Sequence, residues 1–146
     1  MQFKLTFDIE PVEQARPRAR KLRQGIMMYD PAKVKNFKRR LHAMAKYQYH
    51  GEPLTGELNV KICFYRAVQK SISQAERHRR LTGVHGPTVK PDLDNYIKSC
   101  LDALNGVLWK DDNLITTITA HKKYAEQPRI EIEVEENESK SVGKGY

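Results

Sequence analysis

The sequence predicts an α+β domain, with helices packed on one mixed or antiparallel sheet. Three observations carry that expectation. Apolar residues alternate with polar ones in four separate stretches, the period of a half-buried strand. In two other stretches they recur at helical spacing. At 146 residues and 39% hydrophobic content, the chain suits one domain with one modest core.

Phe3, Leu5, Phe7 and Ile9 alternate, giving a first strand that Pro11 ends. ARPRARKLRQG has spaced arginines and no apolar period, so it reads as a loop or ribbon rather than a helix. Asp30 can cap a helix with Pro31 at its first position. Val34, Phe37, Leu41, Met44 and Ala45 then keep helical spacing to about His50, and Gly51-Glu52-Pro53 breaks it. Leu58, Val60, Ile62 and Phe64 make a second strand. The polar stretch 69–86 reads as an arm with a short helix over about 73–80. A helix follows from Asp92 to Leu104, its apolar stripe formed by Leu93, Ile97, Cys100, Leu101 and Leu104 and its end marked by Asn105-Gly106. Leu114, Thr116, Ile118 and Ala120 alternate in a β-branched strand. Ile130, Ile132 and Val134 form the last one. The expected domain is 1–136, with 137–146 a flexible tail that lacks a core pattern.

Charge narrows the partners. The chain carries 26 Lys and Arg against 18 Asp and Glu, a formal balance of +8. Such an excess favours a polyanion, nucleic acid first and an anionic membrane surface second. Between 11 and 50 only Glu13 and Asp30 oppose the basic residues. Cys63 and Cys100 form no C-x-x-C pair and read as small core residues in a reducing compartment. No basic segment followed by an apolar stretch opens the chain, and no long apolar run occurs later, so a cytoplasmic protein with no membrane partner is expected.

Against this basic background, KPDLDNYIKSCLDALNGVLWKDD gathers five aspartates between Lys90 and Asp112. Asp92 and Asp94 fall in the first turn of the predicted helix, where carboxylates complement the dipole by about 0.3–1 kcal/mol each. Asp94 and Lys98 share a helix flank. A surface ion pair worth about 0.2–0.5 kcal/mol explains them; so does an ammonium held beside a carboxylate cluster to meet a phosphate. Val107-Leu108-Trp109 is an apolar knot. If it returns Asp111 and Asp112 towards the helix start, three or four carboxylates converge. Oxygen-only donors then select Mg²⁺ or Mn²⁺ over zinc, and such a cation serves phosphodiester hydrolysis.

The run K-P-D-L-D-N-x-x-K with L-D-A-L-N-G-V-L-W-K-D-D, Lys90 to Ile115, resembles the signature of the RusA family of Holliday junction resolvases, found in bacteria, prophages and phages. Weaker similarity covers the first strand, Pro11 to Arg18, and Tyr29 to Pro31. The resemblance implies a homodimer that cuts four-way DNA junctions by paired nicks with Mg²⁺, or Mn²⁺ in its place, and uses no organic cofactor. It implies Asp92, Asp94 and Asp112 as catalytic metal ligands, Lys98 as the catalytic lysine, Asp111 as a ligand through water, and Asn95 as a steadying group. A four-way junction has approximate two-fold symmetry, and a two-fold dimer supplies its two cutting sites. Arg16, Arg18, Arg20, Lys21 and Arg23 are expected on phosphates, with Arg77, Arg79, Arg80 and Lys90 leading the strand into the site. The aromatics Tyr29, Phe37, Tyr47, Tyr49 and Trp109 are expected mostly in the core. Glu131, Glu133, Glu135, Glu136 and Glu138 make a surface hostile to DNA that should face away from it or lie in the dimer. Two other readings remain open: a non-catalytic module that binds branched nucleic acid, and a nuclease for flaps or other branched structures.

Overall fold

The computed structural model describes residues 1–137. The first strand, β1 (Gln2–Phe7), leads into a hairpin of β2 (Arg18–Leu22) and β3 (Gly25–Tyr29), then helix α1 (Ala32–Gln48). Strand β4 (Leu58–Ala67), helices α2 (Gln74–Leu81) and α3 (Leu93–Leu104), and strands β5 (Ile115–Ala125) and β6 (Arg129–Glu136) complete the chain, with a short 3-10 turn over Asp112–Leu114.

The main sheet has the order β1-β6-β4-β5. β6 runs antiparallel to both β1 and β4, whereas β5 runs parallel to β4. The sheet is therefore mixed, and the single-domain α+β expectation holds. The parallel pair needs a crossover, and α2 and α3 provide it. Val60, Ile62 and Phe64 of β4 and Ile130, Ile132 and Val134 of β6 bury one face of the sheet under α1 and α3. Phe37 and Leu41 come down from α1, and Tyr96 of α3 stacks on Phe64 with ring centroids 5.3 Å apart.

The other face is polar. Glu131, Glu133 and Glu135 alternate there with the buried residues of β6, so the acidic strand faces away from the helices. Register sets Glu133 between Lys4 of β1 and Lys61 of β4, which offsets its charge. Tyr65 donates to Glu131 at 3.2 Å under the Arg129 guanidinium, 3.8 Å above its ring. Burial foremost pushes the Tyr65 phenol up to about 12. Glu138 lies outside the described residues.

Several local expectations need correction. Asp30 does not cap α1: Pro31 holds the cap position, and the Asp30 carboxylate accepts from Lys38 Nζ at 2.9 Å and Gln14 Nε2 at 3.0 Å. The basic segment, by contrast, is a ribbon as expected, a two-stranded hairpin with every strand residue exposed. Tyr29 and Tyr47 are exposed, while Phe37 and Trp109 are buried. Cys100 is fully buried, but Cys63 sits half-buried on the polar face. Glu136 and Asn137 are tied by backbone bonds to Met1 and Glu57, both 2.9 Å; the rest of the expected tail, 138–146, lies outside the described residues. Among the described residues no helix is long and apolar enough to cross a membrane.

The stripe of α3 is also turned. Its buried residues are Tyr96, Ser99, Cys100, Ala103 and Leu104, while Leu93, Ile97 and Leu101 are only partly covered. The aromatic ring of Tyr96 reaches the sheet better than an aliphatic chain one position away, so the helix seats on the 96–99–100–103 face.

Candidate functional site

Helix α3 begins where several elements meet. The Lys90–Pro91 peptide bond is cis. Arg66, at the end of β4, donates to the Lys90 carbonyl at 2.9 Å. Lys122 of β5 donates to the Val89 and Pro91 carbonyls at 3.0 and 2.9 Å. The Gln14 amide N–H donates to the Asn95 carbonyl at 2.9 Å, and Ser99 Oγ donates to the Val12 carbonyl at 2.6 Å. A cleft of about 300 Å³ opens beside this start, with Glu10, Glu13, Arg66, Pro91 and Tyr96 among its lining.

Asp92 occupies the N-cap of α3 with extended backbone, yet its side chain makes no cap hydrogen bond. An N-cap aspartate that does not cap forgoes about 1 kcal/mol of helix stability, and its carboxylate stays available. Asp94 is exposed in the first turn. Asp94 and Lys98 do not pair, and neither side chain has a hydrogen-bond or ion-pair partner among the described residues. Asp102, one turn further, is instead held by Lys38 of α1 at 3.2 Å.

The far acids sit elsewhere. Trp109 is buried and donates from Nε1 to Asn105 Oδ1 at 2.7 Å, while Gly106 takes a positive φ of 81° that only glycine adopts at low cost. Leu54 is tied to this knot by two strand-like backbone bonds: its N–H donates to the Leu108 carbonyl at 3.0 Å and its carbonyl accepts from the Lys110 N–H at 2.9 Å. The knot forms as the sequence implied, but it delivers Asp111 and Asp112 to the start of β5, next to Leu58. The start of α3 lies at the other end of the same strands, beside Arg66 and Lys122. Twelve helical residues span about 18 Å, so Asp92 and Asp112 of one chain are on the order of 20 Å apart. Among the described residues no group of three or more His, Cys, Asp or Glu side chains could hold a metal ion. The expected convergence of Asp92, Asp94, Asp111 and Asp112 within one chain is thus not found. The reason is topological: a crossover helix runs antiparallel to its strands, so residues before its start and residues after its end stand at opposite ends of those strands.

The basic residues fall into two groups. Arg16, Arg18, Arg20, Lys21 and Arg23 lie exposed on the hairpin and its approach. Arg77, Arg79 and Arg80 lie on α2, capped by Ser73, which accepts from the Glu76 N–H at 3.1 Å. Glu76 binds Arg79 at 3.0 Å and Arg80 at 2.8 Å. These partners, Arg80 first, then His85 and Arg79, hold its carboxyl down at about 2. Arg80 also covers the Tyr124 ring at 4.9 Å, and Arg77 approaches Glu126 at 4.0 Å. The α2 cations are therefore partly engaged within the chain, whereas the hairpin cations have no ion-pair partner among the described residues. Lys90 is exposed beside the start of α3.

Sequence reasoning missed Arg66 and Lys122 as positioning residues. A signal existed: both stand on the apolar phase of their strands, in line with Val60, Ile62 and Phe64 and with Ile118 and Ala120. A cation in that phase implies a polar structure over the sheet end.

A family described as Endodeoxyribonuclease RusA matches residues 8–135. An uncharacterized protein of Bacillus subtilis (strain 168), YqaN, is 37% identical over 137 residues, covering 92% of this chain and 96% of its own.

Proposed function

This chain belongs to the RusA endodeoxyribonuclease family, and on that basis we propose that Asp92, Asp94, Asp112 and Lys98 carry its chemistry on four-way DNA junctions. The family's members are endonucleases that resolve Holliday junctions and depend on a divalent metal ion. The observation that carries the assignment of Asp92, Asp94 and Lys98 is the start of α3: two exposed carboxylates and an ammonium, none engaged among the described residues, on a backbone fixed by Arg66, Lys122 and Gln14.

The donor chemistry fits a hard cation, because carboxylate oxygens without imidazole or thiolate suit Mg²⁺, with Mn²⁺ as a substitute. In this reading Asp92 and Asp94 are ligands from one chain, and because no metal-holding group closes among the described residues of a single chain, Asp112 of the partner subunit joins them, with the partner's Asp111 acting through water. A bound cation of this kind supplies an activated water and offsets charge on the phosphate. The chain's own groups do the rest. Lys98 meets the phosphate or the leaving oxygen as a point charge. Asn95 steadies the helix start. The hairpin cations Arg16, Arg18, Arg20, Lys21 and Arg23 follow the backbone of the junction arms, and Lys90 sits where a strand enters. Arg77, Arg79 and Arg80 contribute less, since Glu76 and Glu126 already hold them. The active species is a homodimer, because paired nicks on a two-fold substrate need two centres.

The test is a labelled four-way junction incubated with magnesium. Asp92→Asn, Asp94→Asn and Asp112→Asn should each lower cutting by at least about 100-fold while still retarding the junction in a gel. Lys98→Ala should lose cutting with the fold intact. Full cutting by Asp92→Asn would reject the assignment.

A further inference from the structure

We propose that Lys38 is a positioning residue for the reaction: by occupying the Asp102 carboxylate it keeps the Lys98 ammonium free to meet the phosphate. This rests on the assignment of Lys98 above and adds to it a residue that touches no reacting atom.

Helix spacing sets the problem. Asp94 and Asp102 stand about one turn to either side of Lys98, and at about 100° per residue the three share a flank. Opposite charges four residues apart attract on an exposed helix. Asp94 is a metal ligand in the reading above, so a bound cation meets its charge. Asp102 has no such duty. Left alone, it would draw the Lys98 side chain away from the helix start, and the negative end of the helix dipole would add to that pull. Yet Lys98 is exposed and has no ion-pair or hydrogen-bond partner among the described residues.

The packing of α1 supplies the answer. Lys38 reaches across from α1 and binds Asp102 at 3.2 Å. The same ammonium binds Asp30 at 2.9 Å, and Gln14 Nε2 holds the other Asp30 oxygen at 3.0 Å. His42 Nδ1, one turn further along α1, lies 2.9 Å from the Ala103 carbonyl, which seats α1 against this end of α3. Lys38 thus differs from its neighbours. Lys35, Arg39 and Arg40 are exposed, whereas the Lys38 side chain is 20% exposed and lies between two carboxylates. With Lys38 in place, the group of Asp30, Asp102 and Lys38 carries one net negative charge; without it, two. The charge of Lys98 already reaches this group, since it adds to the causes that lower the Asp30 carboxyl. Removing the Lys38 ammonium therefore turns a distant attraction into a competing ion pair.

Single-turnover cutting at saturating four-way junction, beside the junction dissociation constant, separates the step from binding. Lys38→Met should cut about 2- to 5-fold more slowly, the shift in occupancy that one exposed ion pair produces. Its dissociation constant should stay within about 2-fold of wild type. Adding Asp102→Asn to Lys38→Met should restore the rate, because the competing carboxylate is gone while Asp30 keeps its bond from Gln14. Lys38→Arg should retain the rate. Slow cutting that Asp102→Asn does not relieve overturns the proposal. So does a weakened affinity that accounts for the loss, which makes Lys38 a phosphate contact instead. Should Lys38→Met fail to fold by circular dichroism, Lys38→Gln, which keeps a donor without the charge, carries the same expectations. A second readout involves no cutting. In the metal-free protein the ε-methylene resonance of Lys98, assigned with Lys98→Ala, should move in Lys38→Met and return when Asp102→Asn is added; a resonance that stays in place overturns the proposal. Lys98→Ala that cuts as wild type sinks the residue assignment, and the positioning with it. Loss of cutting in Lys98→Ala beside full cutting in Lys38→Met rejects the positioning alone.

Discussion

Single side chains decide how α1 meets α3. Lys38 lies between Asp30 at 2.9 Å and Asp102 at 3.2 Å, with its side chain one-fifth exposed. Its hydrogen bond is the largest cause holding the Asp30 carboxyl below the ordinary 3.8, with Gln14 adding to it and burial opposing. A folded-state value below the unfolded one means that the contribution is present in full above 3.8 and is lost as pH falls through the folded value. Asp30→Asn should therefore cost about 1 kcal/mol at neutral pH. The cost should vanish in strong acid. Thermal melts of both proteins across the acid range check this, and parallel curves throughout would count against it. The sequence suggested a different role for Asp30, as a cap. Its actual partners are Lys38, eight residues on, and Gln14, sixteen residues back.

Among the elements, α3 and the hairpin show the limits of periodicity. Spacing located α3 to within one residue, because proline before it and Asn-Gly after it punctuate the helix strongly. Spacing misjudged which side is down. Leu93, Leu101 and Leu104 all look apolar, but only Leu104 is fully buried. Leu104→Ala should lower the unfolding free energy by about 3 kcal/mol. Tyr47→Ala on α1, an aromatic 82% exposed, should change it by less than about 0.5 kcal/mol. Urea titrations of the two variants give the comparison, and equal losses would contradict the burial. The strands β2 and β3 were legible only as a basic ribbon. Neither alternates in burial, since both faces are exposed, and an isolated two-stranded ribbon is marginal in water. Its five exposed large apolar side chains, among them Ile26 and Met28, are expected to be covered when the ribbon meets its partner.

For the whole molecule, charge is segregated by layer. The polar sheet face interleaves Glu133 with Lys4 and Lys61, while the hairpin concentrates cations that no carboxylate opposes among the described residues. Binding of a junction should therefore be strongly salt-dependent through the hairpin. Changing Arg18, Arg20 and Arg23 together to Gln should reduce the slope of log affinity against log salt by roughly two to three. Arg79→Gln should alter it less, because Glu76 already holds that guanidinium. Fluorescence anisotropy across a salt series distinguishes them, and equal slopes for the triple variant and wild type would remove the hairpin from the interface.

Local pattern in the chain sufficed for most of the elements, for a single α+β domain, for the family and for the acids at the start of α3. Those features are written residue by residue, as period, punctuation and a long ordered motif. Where the acids stand was settled by the packing of the whole chain. Asp111 and Asp112 come after α3, and a crossover connection to a parallel strand must carry them to the opposite end of the sheet. A spacing in sequence cannot express that reversal, because it depends on which strand β5 takes as its neighbour and in which direction.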